Sequence, residues 1–279
     1  MNSDKNTKPT PPGVGFVVGR VQGDQARFDQ AGRPGGVLVV IPARYGSSRF
    51  PGKALADVAG KPLIVRVAEN AMRVRTADRV LVATDDRRIF DAVTAAGLPC
   101  EMTAEHPTGT DRIAEVAARH PEDLVVNLQG DEPLLPPADV EALITFMQDG
   151  ADWDIGTCGH AFAEAGPWRE PNVVKVVTGR GGRALYFSRA PIPGMFPGRE
   201  EAGHTVALRH VGIYAFRREA LLRFASLAPT PLECAEGLEQ LRALENGMSI
   251  GVVTIGAGPV GVDTPADLER VRACWPAGR

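Results

Sequence analysis

Cysteine is scarce in this chain. Its four residues, Cys100, Cys158, Cys234 and Cys274, are spread over 279 positions with no Cys-x-x-Cys pair. Such spacing argues against a disulfide framework or a zinc site and predicts buried, reduced thiols. Long apolar runs are also missing. The longest, residues 37–41, reads Val-Leu-Val-Val-Ile, against the roughly 20 residues a spanning helix needs. The N-terminus has no apolar core of a signal peptide. Neither charge sign dominates: 31 Lys and Arg stand against 34 Asp and Glu, a formal net charge of −3, whereas a nucleic-acid binder should carry a basic excess or stripe. No internal repeat of 20–50 residues is visible. These absences together predict a cytoplasmic globular protein with no nucleic-acid partner and no membrane insertion.

What the chain has in excess is glycine and proline, 31 and 23 residues respectively, above the roughly 7% and 5% of an average chain. Part of that excess falls in residues 1–36, a polar stretch rich in Pro, Gly, Asp and Gln that predicts a weakly ordered N-terminal arm. From Val37 onward, short apolar runs alternate with amphipathic stretches. Residues 37–41 form a run expected of a strand buried on both faces. A helix is predicted from Pro62, with Leu63, Val67 and Ala71 on one stripe. Residues 79–84 read as a second strand, Asp85 or Asp86 as the cap of a helix ending near Gly97, and residues 100–103 as a third strand. Thr108-Gly-Thr-Asp111 has capping-box spacing and opens another helix, and residues 124–129 form the next strand. Strand–helix units of this length imply a mostly parallel sheet with helices on both faces.

The second half departs from that rhythm. Residues 172–177 and 184–189 flank Gly179-Arg-Gly-Gly182, as in a hairpin. Residues 208–216 read as a strand and about 232–246 as one long helix stopped by Gly247. Residues 250–255 form a last strand, and Thr264-Pro-Ala-Asp267 starts a last helix. The fold expected for residues 37–279 is therefore a single α/β domain, with a Rossmann-like parallel sheet and a mixed-strand insertion at about 172–247.

Chemistry concentrates where strands end. Ile41-Pro-Ala-Arg-Tyr-Gly-Ser-Ser-Arg-Phe-Pro-Gly-Lys53 follows the first strand and carries three cations, Arg44, Arg49 and Lys53. Ligands of open α/β sheets bind beyond the carboxyl ends of the strands. A loop of small residues and cations there suits a polyphosphate, with backbone N–H groups at residues 46–48 able to approach its oxygens. It matches neither Gly-x-x-x-x-Gly-Lys-Ser/Thr nor Gly-x-Gly-x-x-Gly, which removes the default ATPase and dehydrogenase readings. A solvated basic loop is the plain alternative. Leu128-Gln-Gly-Asp131-Glu-Pro133 ends another strand on the same edge, where a carboxylate can hold Mg²⁺ against phosphate oxygens; a simple Gly-Asp turn remains open. Gly261-Val-Asp263-Thr-Pro265 offers a second carboxylate, or only a helix entry.

These segments, with Ala83-Thr-Asp85, Thr108-Gly-Thr-Asp-Arg112, Ala184-Leu-Tyr-Phe-Ser-Arg189, Arg209-His-Val-Gly-Ile-Tyr214 and Gly237-Leu-Glu-Gln-Leu-Arg242, make the chain from Val37 to about Ala273 resemble the 3-deoxy-D-manno-octulosonate (Kdo) cytidylyltransferases. Any one motif is only suggestive; eight in this order are specific. The resemblance implies transfer of CMP from CTP to the anomeric hydroxyl of Kdo, giving CMP-Kdo and pyrophosphate for lipopolysaccharide synthesis, with Mg²⁺ required and a homodimer in a Gram-negative cytoplasm. It assigns Arg44, Ser47 and Lys53 to the triphosphate, Ala43, Thr108, Gly109, Arg112 and Gln129 to the nucleotide, and Asp131 and Asp263 to the metal. Arg44, Lys53, Asp131 and Asp263 would be catalytic. Arg189, His210, Tyr214, Glu239 and Gln240 would contact the acidic sugar, with Arg189 as cation for its carboxylate. The insertion at about 172–247 would carry sugar binding and dimerisation.

No residue stands out as general base. His210 in its apolar strand could equally be a core histidine, and Glu239-Gln240 a solvated helix face. Tyr214, four residues after His210, shares its side of a regular strand, which favours the functional pairing. His106, His120, His160 and His204 are taken as surface or packing residues. Departures from the family pattern are Thr108, where Ser is usual, and Cys234 and Ala235 before Gly237, where larger or polar residues are commoner. The competing readings are a cytidylyltransferase for a related acid such as 8-amino-Kdo, a metal-dependent glycosyltransferase, and a non-catalytic nucleotide-binding regulator. The Arg44–Lys53 grip on a departing pyrophosphate opposes the second, and the presence of Asp131 and Asp263 opposes the third.

Overall fold

The computed structural model describes residues 35–46, 50–149, 152–198, 202–256, 258 and 261–275. The predicted arm lies outside these residues except for its last two, and Ser47 and Arg49 lie outside them as well. Along the chain come β1 (Val37–Ala43), a two-strand ribbon of β2 (Asp57–Val58) and β3 (Lys61–Pro62), α1 (Leu63–Ala71), β4 (Arg79–Thr84), α2 (Arg87–Ala95), β5 (Cys100–Met102), α3 (Gly109–Ala117) and β6 (Leu124–Asn127). There follow α4 (Pro137–Asp149), β7 (Ile155–Ala161), α5 (Ala165–Arg169), β8 (Lys175–Thr178), β9 (Ala184–Ser188), α6 (Gly203–Val206) and β10 (Ala207–Arg217). The last elements are α7 (Arg218–Ala225), α8 (Pro231–Glu236), α9 (Gln240–Glu245), β11 (Ile250–Thr254) and α10 (Pro265–Cys274).

Among the described residues one nine-stranded sheet runs β11-β7-β10-β6-β1-β4-β5, with β8 pairing β10 and β9. The β6-β1-β4-β5 half is parallel. β10 is antiparallel to β6, β7 and β8 and joins the two halves. Residues 37–41 are at most 1% exposed, and the pleat sends their side chains both ways. Val37, Val39 and Ile41 meet α1, α2, α4 and α10 on one face. Leu38 and Val40 meet α3, α7 and α9 on the other. A strand covered on both faces needs such an unbroken apolar run.

β10 places the second half of the site. Its C-terminal part, from Tyr214, pairs with β6 (Tyr214↔Asn127), while its N-terminal part pairs with β8 on the same edge (Leu208↔Val176). Because β10 runs against β6, the β8–β9 hairpin projects beyond the carboxyl end of β6, where ligands bind in such sheets.

Two expectations need correction. The helix foreseen over about 232–246 is broken into α8 and α9, since Gly237 takes φ +61° and ends the first piece. A residue in the left-handed region stops the helical ladder, and the chain restarts at Glu239 at a new angle. The thiols are not all buried: Cys158 is, but Cys234 and Cys274 are exposed on α8 and α10. No described helix is long and apolar enough to cross a membrane.

Candidate active site

A cavity of about 670 Å³ opens at the carboxyl ends of β1 and β6, and it is walled on its far side by the α8–α9 break. Close backbone approach shapes its floor. At Gly130 a Cβ would lie 2.9 Å from the carbonyl oxygen of Pro42, so only glycine lets the loop after β6 press on the end of β1. From the first strand come Pro42, Ala43 and exposed Arg44. Beyond them Tyr45 accepts the Gly52 N–H on its carbonyl at 3.1 Å, and its ring lies 3.4 Å from the Arg88 guanidinium carbon. This stack fastens the near end of the basic loop, and Lys53 starts a single 3₁₀ turn behind it.

Lys53 is the electrostatic centre. Its ammonium donates to Asp131 Oδ2 at 2.7 Å and to the carbonyl of Val262 at 2.7 Å, and lies 3.6 Å from Asp263 Oδ1. The two carboxylate loops are stitched together, because the Val262 N–H donates to the Asp131 carbonyl at 2.9 Å. Glu132 adds a third carboxyl, with a buried Oε2 that has no hydrogen-bond partner. Burial, then the Asp131 and Asp263 charges, push it up to about 8. Glu132 is thereby neutral near pH 7, and the two carboxylates of Asp131 and Asp263 face a single ammonium, which leaves the locale short of positive charge.

That deficit is the condition a divalent cation would meet. Among the described residues no group of three or more His, Cys, Asp and Glu forms a self-sufficient metal cage. Asp131 and Asp263 converge with part of their carboxylates open to solvent. Two carboxylates completed by phosphate oxygens and water are the donor set Mg²⁺ prefers, so the residues fit that ion.

α3 points its N-terminus into the same cavity. Thr108 caps it, accepting from the Asp111 N–H at 3.1 Å and donating to Asp111 Oδ2 at 2.9 Å. The predicted cap is therefore present, and the open N–H groups of the first turn favour an anionic or carbonyl acceptor. Arg112, only 3% exposed, donates to Asp85 Oδ2 at 2.8 Å and also bonds Thr103. Asp86, not Asp85, caps α2 by accepting from the Arg88 N–H at 2.9 Å. That division of labour frees Asp85 to hold Arg112 against the cavity wall. Gln129 lines the cavity and makes a long 3.5 Å contact to Asn127.

On the far wall, Glu239 accepts from Thr110 Oγ1 at 2.6 Å. Burial pushes its carboxyl up, against the pull of Thr110 and Arg242. Behind it, His210 and Tyr214 lie deep in the fold yet keep partial exposure, with ring centroids 5.5 Å apart. β10 bulges between Val211 and Tyr214, placing two extra residues opposite β7. An even insertion preserves strand parity, so the two side chains stay on one side. Burial lowers His210 to about 3, and burial, then the Glu239 charge, raises Tyr214 above its ordinary value. His210 Nε2 lies 2.9 Å from Thr157 Oγ1, whose hydroxyl is 2.8 Å from the Ile213 carbonyl. If the single Thr157 proton goes to that carbonyl, His210 carries its proton on Nε2 and leaves Nδ1 as acceptor.

The cavity thus gathers Ala43, Arg44, Lys53, Thr108, Gly109, Arg112, Gln129, Asp131, Glu239 and Asp263. Arg189, His210, Tyr214 and Gln240 are not among its lining residues; they lie behind or beside the α8–α9 wall. Three lining residues with polar or ionisable side chains have no functional role in the sequence reading: His106, Glu233 and Cys234. His106 bonds Glu115 within α3, a contact with no local sequence signal. Glu132 had one, since it directly follows Asp131.

Comparison with known proteins follows this geometry. A family model described as cytidylyltransferase matches residues 38–250. The 3-deoxy-manno-octulosonate cytidylyltransferase of Anaeromyxobacter dehalogenans is 55% identical over 245 residues, covering 87% of this chain and 98% of the relative. Its namesake in Geobacter metallireducens is 49% identical over 243 residues, covering 84% and 96% respectively. Among solved structures, a CMP:2-keto-3-deoxy-manno-octonic acid synthetase complexed with CTP superposes with a TM-score of 0.80 at 46% identity, covering 86% of this chain and 98% of the other. A Leptospira borgpetersenii cytidylyltransferase, at 16% identity and TM-score 0.57, shares the fold alone.

Proposed function

The chain belongs to the cytidylyltransferase family, within it to the 3-deoxy-manno-octulosonate cytidylyltransferases, and from that premise we propose how its own residues carry the reaction. The enzyme transfers CMP from CTP to Kdo, giving CMP-Kdo and pyrophosphate. The anomeric hydroxyl attacks the α-phosphorus in line with the departing pyrophosphate, so the protein must align two polyanionic partners and offset the charge between them.

Arg44 and Lys53 supply the cations, and the N-terminus of α3 supplies oriented N–H groups. Lys53 is held by Asp131, Val262 and Asp263 before any substrate arrives, so its ammonium costs little reorganisation when phosphate replaces part of that shell. Arg112, fixed by Asp85, and Gln129 frame the nucleotide. Asp131 and Asp263 would hold Mg²⁺, which when bound neutralises phosphate charge and lowers the pKa of a nearby hydroxyl. With that help no protein base is required, and the neutral His210 serves the sugar rather than a proton. Arg189 takes the sugar carboxylate, while His210, Tyr214, Glu239 and Gln240 take its hydroxyls.

A homodimer is supported by three large apolar side chains on the mixed-strand half, Leu185 on β9, Phe196 and Val206, which stand 59%, 77% and 61% exposed and would gain from being covered. A cytoplasmic location is supported by CTP as co-substrate and by free thiols.

The observation that carries the reading is the convergence of Lys53, Asp131 and Asp263 beside the capped N-terminus of α3. Pyrophosphate release, measured with each of the four nucleoside triphosphates, with Kdo or 8-amino-Kdo, and with Mg²⁺ or EDTA, tests it. Release with CTP, Kdo and Mg²⁺ together is expected. No turnover with Kdo, beside turnover with another sugar acid, overturns the substrate assignment.

A further inference from the structure

Among the largest fully buried side chains of the described residues is a lysine. Lys175, on β8, has 0% exposure. All three of its ammonium hydrogens have backbone acceptors: the carbonyls of Glu170 at 3.1 Å, Val173 at 2.7 Å and Arg189. Burying an ammonium among carbonyls is costly, and a methionine of similar length would fill the same space more cheaply. Packing alone therefore does not account for it.

Its third acceptor gives the reason. Lys175↔Ser188 is the first pair of the β8–β9 ladder, and Arg189 lies one residue past the end of β9. The ladder therefore cannot hold the Arg189 backbone, and side chains do so instead. Glu236, at the end of α8, accepts from Ser188 Oγ at 2.6 Å on one carboxylate oxygen and from the Arg189 N–H at 2.9 Å on the other. Lys175 donates to the Arg189 carbonyl. The guanidinium closes the circle, donating through Nε to the Glu236 carbonyl at 2.7 Å, and at 3.3 and 3.4 Å to the carbonyls of Gly237 and Pro171. An arginine has five N–H donors; three are used here and two remain for a ligand. Gly237, one of the acceptors, itself lines the cavity.

We infer that Lys175 and Glu236 are positioning residues for the sugar-acid site, locking both backbone groups of Arg189 so that its guanidinium is set for the substrate carboxylate before Kdo binds. This inference rests on the reading of Arg189 as the carboxylate's cation. Two long side chains thereby replace a missing ladder, and the flexibility that an arginine beyond a strand end would otherwise keep is removed in advance.

Steady-state kinetics on K175M, E236Q and R189A, and on each of the first two combined with R189A, test it, with thermal unfolding measured on every variant. Each of K175M and E236Q should raise KM for Kdo about tenfold, the scale of a weakened charge-assisted contact, and leave KM for CTP within about twofold. On the R189A background neither should raise KM for Kdo further, because residues acting through one group are not additive. If K175M does not fold, E236Q, whose carboxyl lies nearer the surface, carries the same test. Parallel rises in KM for both substrates, or effects that multiply with R189A, overturn the positioning role. If R189A alone leaves KM for Kdo unchanged, the assignment of Arg189 fails and the inference falls with it; that outcome is told apart by the silent single variant.

Discussion

Thr110 and Glu239 are 129 residues apart in the chain and 2.6 Å apart in the fold, the Thr110 hydroxyl donating to Glu239 Oε2. One belongs to the first turn of α3, beside the nucleotide cavity, and the other opens α9 on the sugar side. The bond therefore ties the two substrate halves together. It also opposes the burial that pushes the Glu239 carboxyl up. Removing a donor to the charged form raises a carboxyl pKa further. T110V should therefore move the acidic limb of the kcat/KM profile to higher pH and raise KM for Kdo about tenfold. A profile superimposable on that of the parent enzyme refutes the link.

Asp131 and Asp263 share Lys53, at 2.7 and 3.6 Å. Both carboxylates are partly exposed, so their ion pairs contribute little to folding. D131N and D263N should each lower kcat by at least about 100-fold, the scale of losing electrostatic stabilisation at a reacting centre, with melting temperatures shifted by only a few degrees. Added Mg²⁺ should restore the parent enzyme after EDTA treatment but restore these variants poorly. Equal losses of folding and activity would make the carboxylates structural.

How much was legible in the sequence follows the range of the interactions. The run at residues 37–41, the caps at Thr108 and Thr264 and the basic loop before Lys53 are local patterns, and the structure contains the strand and both caps. The break between α8 and α9 was missed because apolar spacing continues across Gly237, and only its φ of +61° ends the helix. Lys175 escaped notice because a lysine in a strand ordinarily reads as solvent-facing, and its three carbonyl acceptors come from backbone that sequence cannot align. The pairing of His210 with Tyr214 was foreseen for a regular strand. It survives only because the β10 bulge inserts two residues rather than one.

His210 gives a pH signature with a definite sign. Burial lowers it from 6.5 to about 3 in the folded protein. Between those values the unfolded chain binds a proton that the folded one refuses, so this contribution is fully present above about pH 6.5 and is lost as pH falls. H210Q removes the titration and leaves a side chain able to bond Thr157. Urea unfolding at pH 7 and pH 5 should show the parent losing roughly 2 kcal/mol more than H210Q across that interval. An identical pH dependence in both proteins would mean that His210 titrates normally.

Gly130 tests the geometry of the cavity floor. An added Cβ would lie 2.9 Å from the Pro42 carbonyl oxygen and 3.3 Å from Ile64 Cδ1. The first contact is with backbone at the end of β1, which cannot rotate away; the second is with a flexible side-chain end. Overpacking of this kind costs about 1–3 kcal/mol, and relief requires the loop carrying Asp131 to move off β1. Because Asp131 reaches Lys53 from that loop, activity should fall more than stability does. G130A is expected to unfold a few degrees lower and to lose most of its pyrophosphate release, even well below the melting temperature. Loss of stability with full activity at low temperature would show that the β1–β6 contact supports the fold without setting the site.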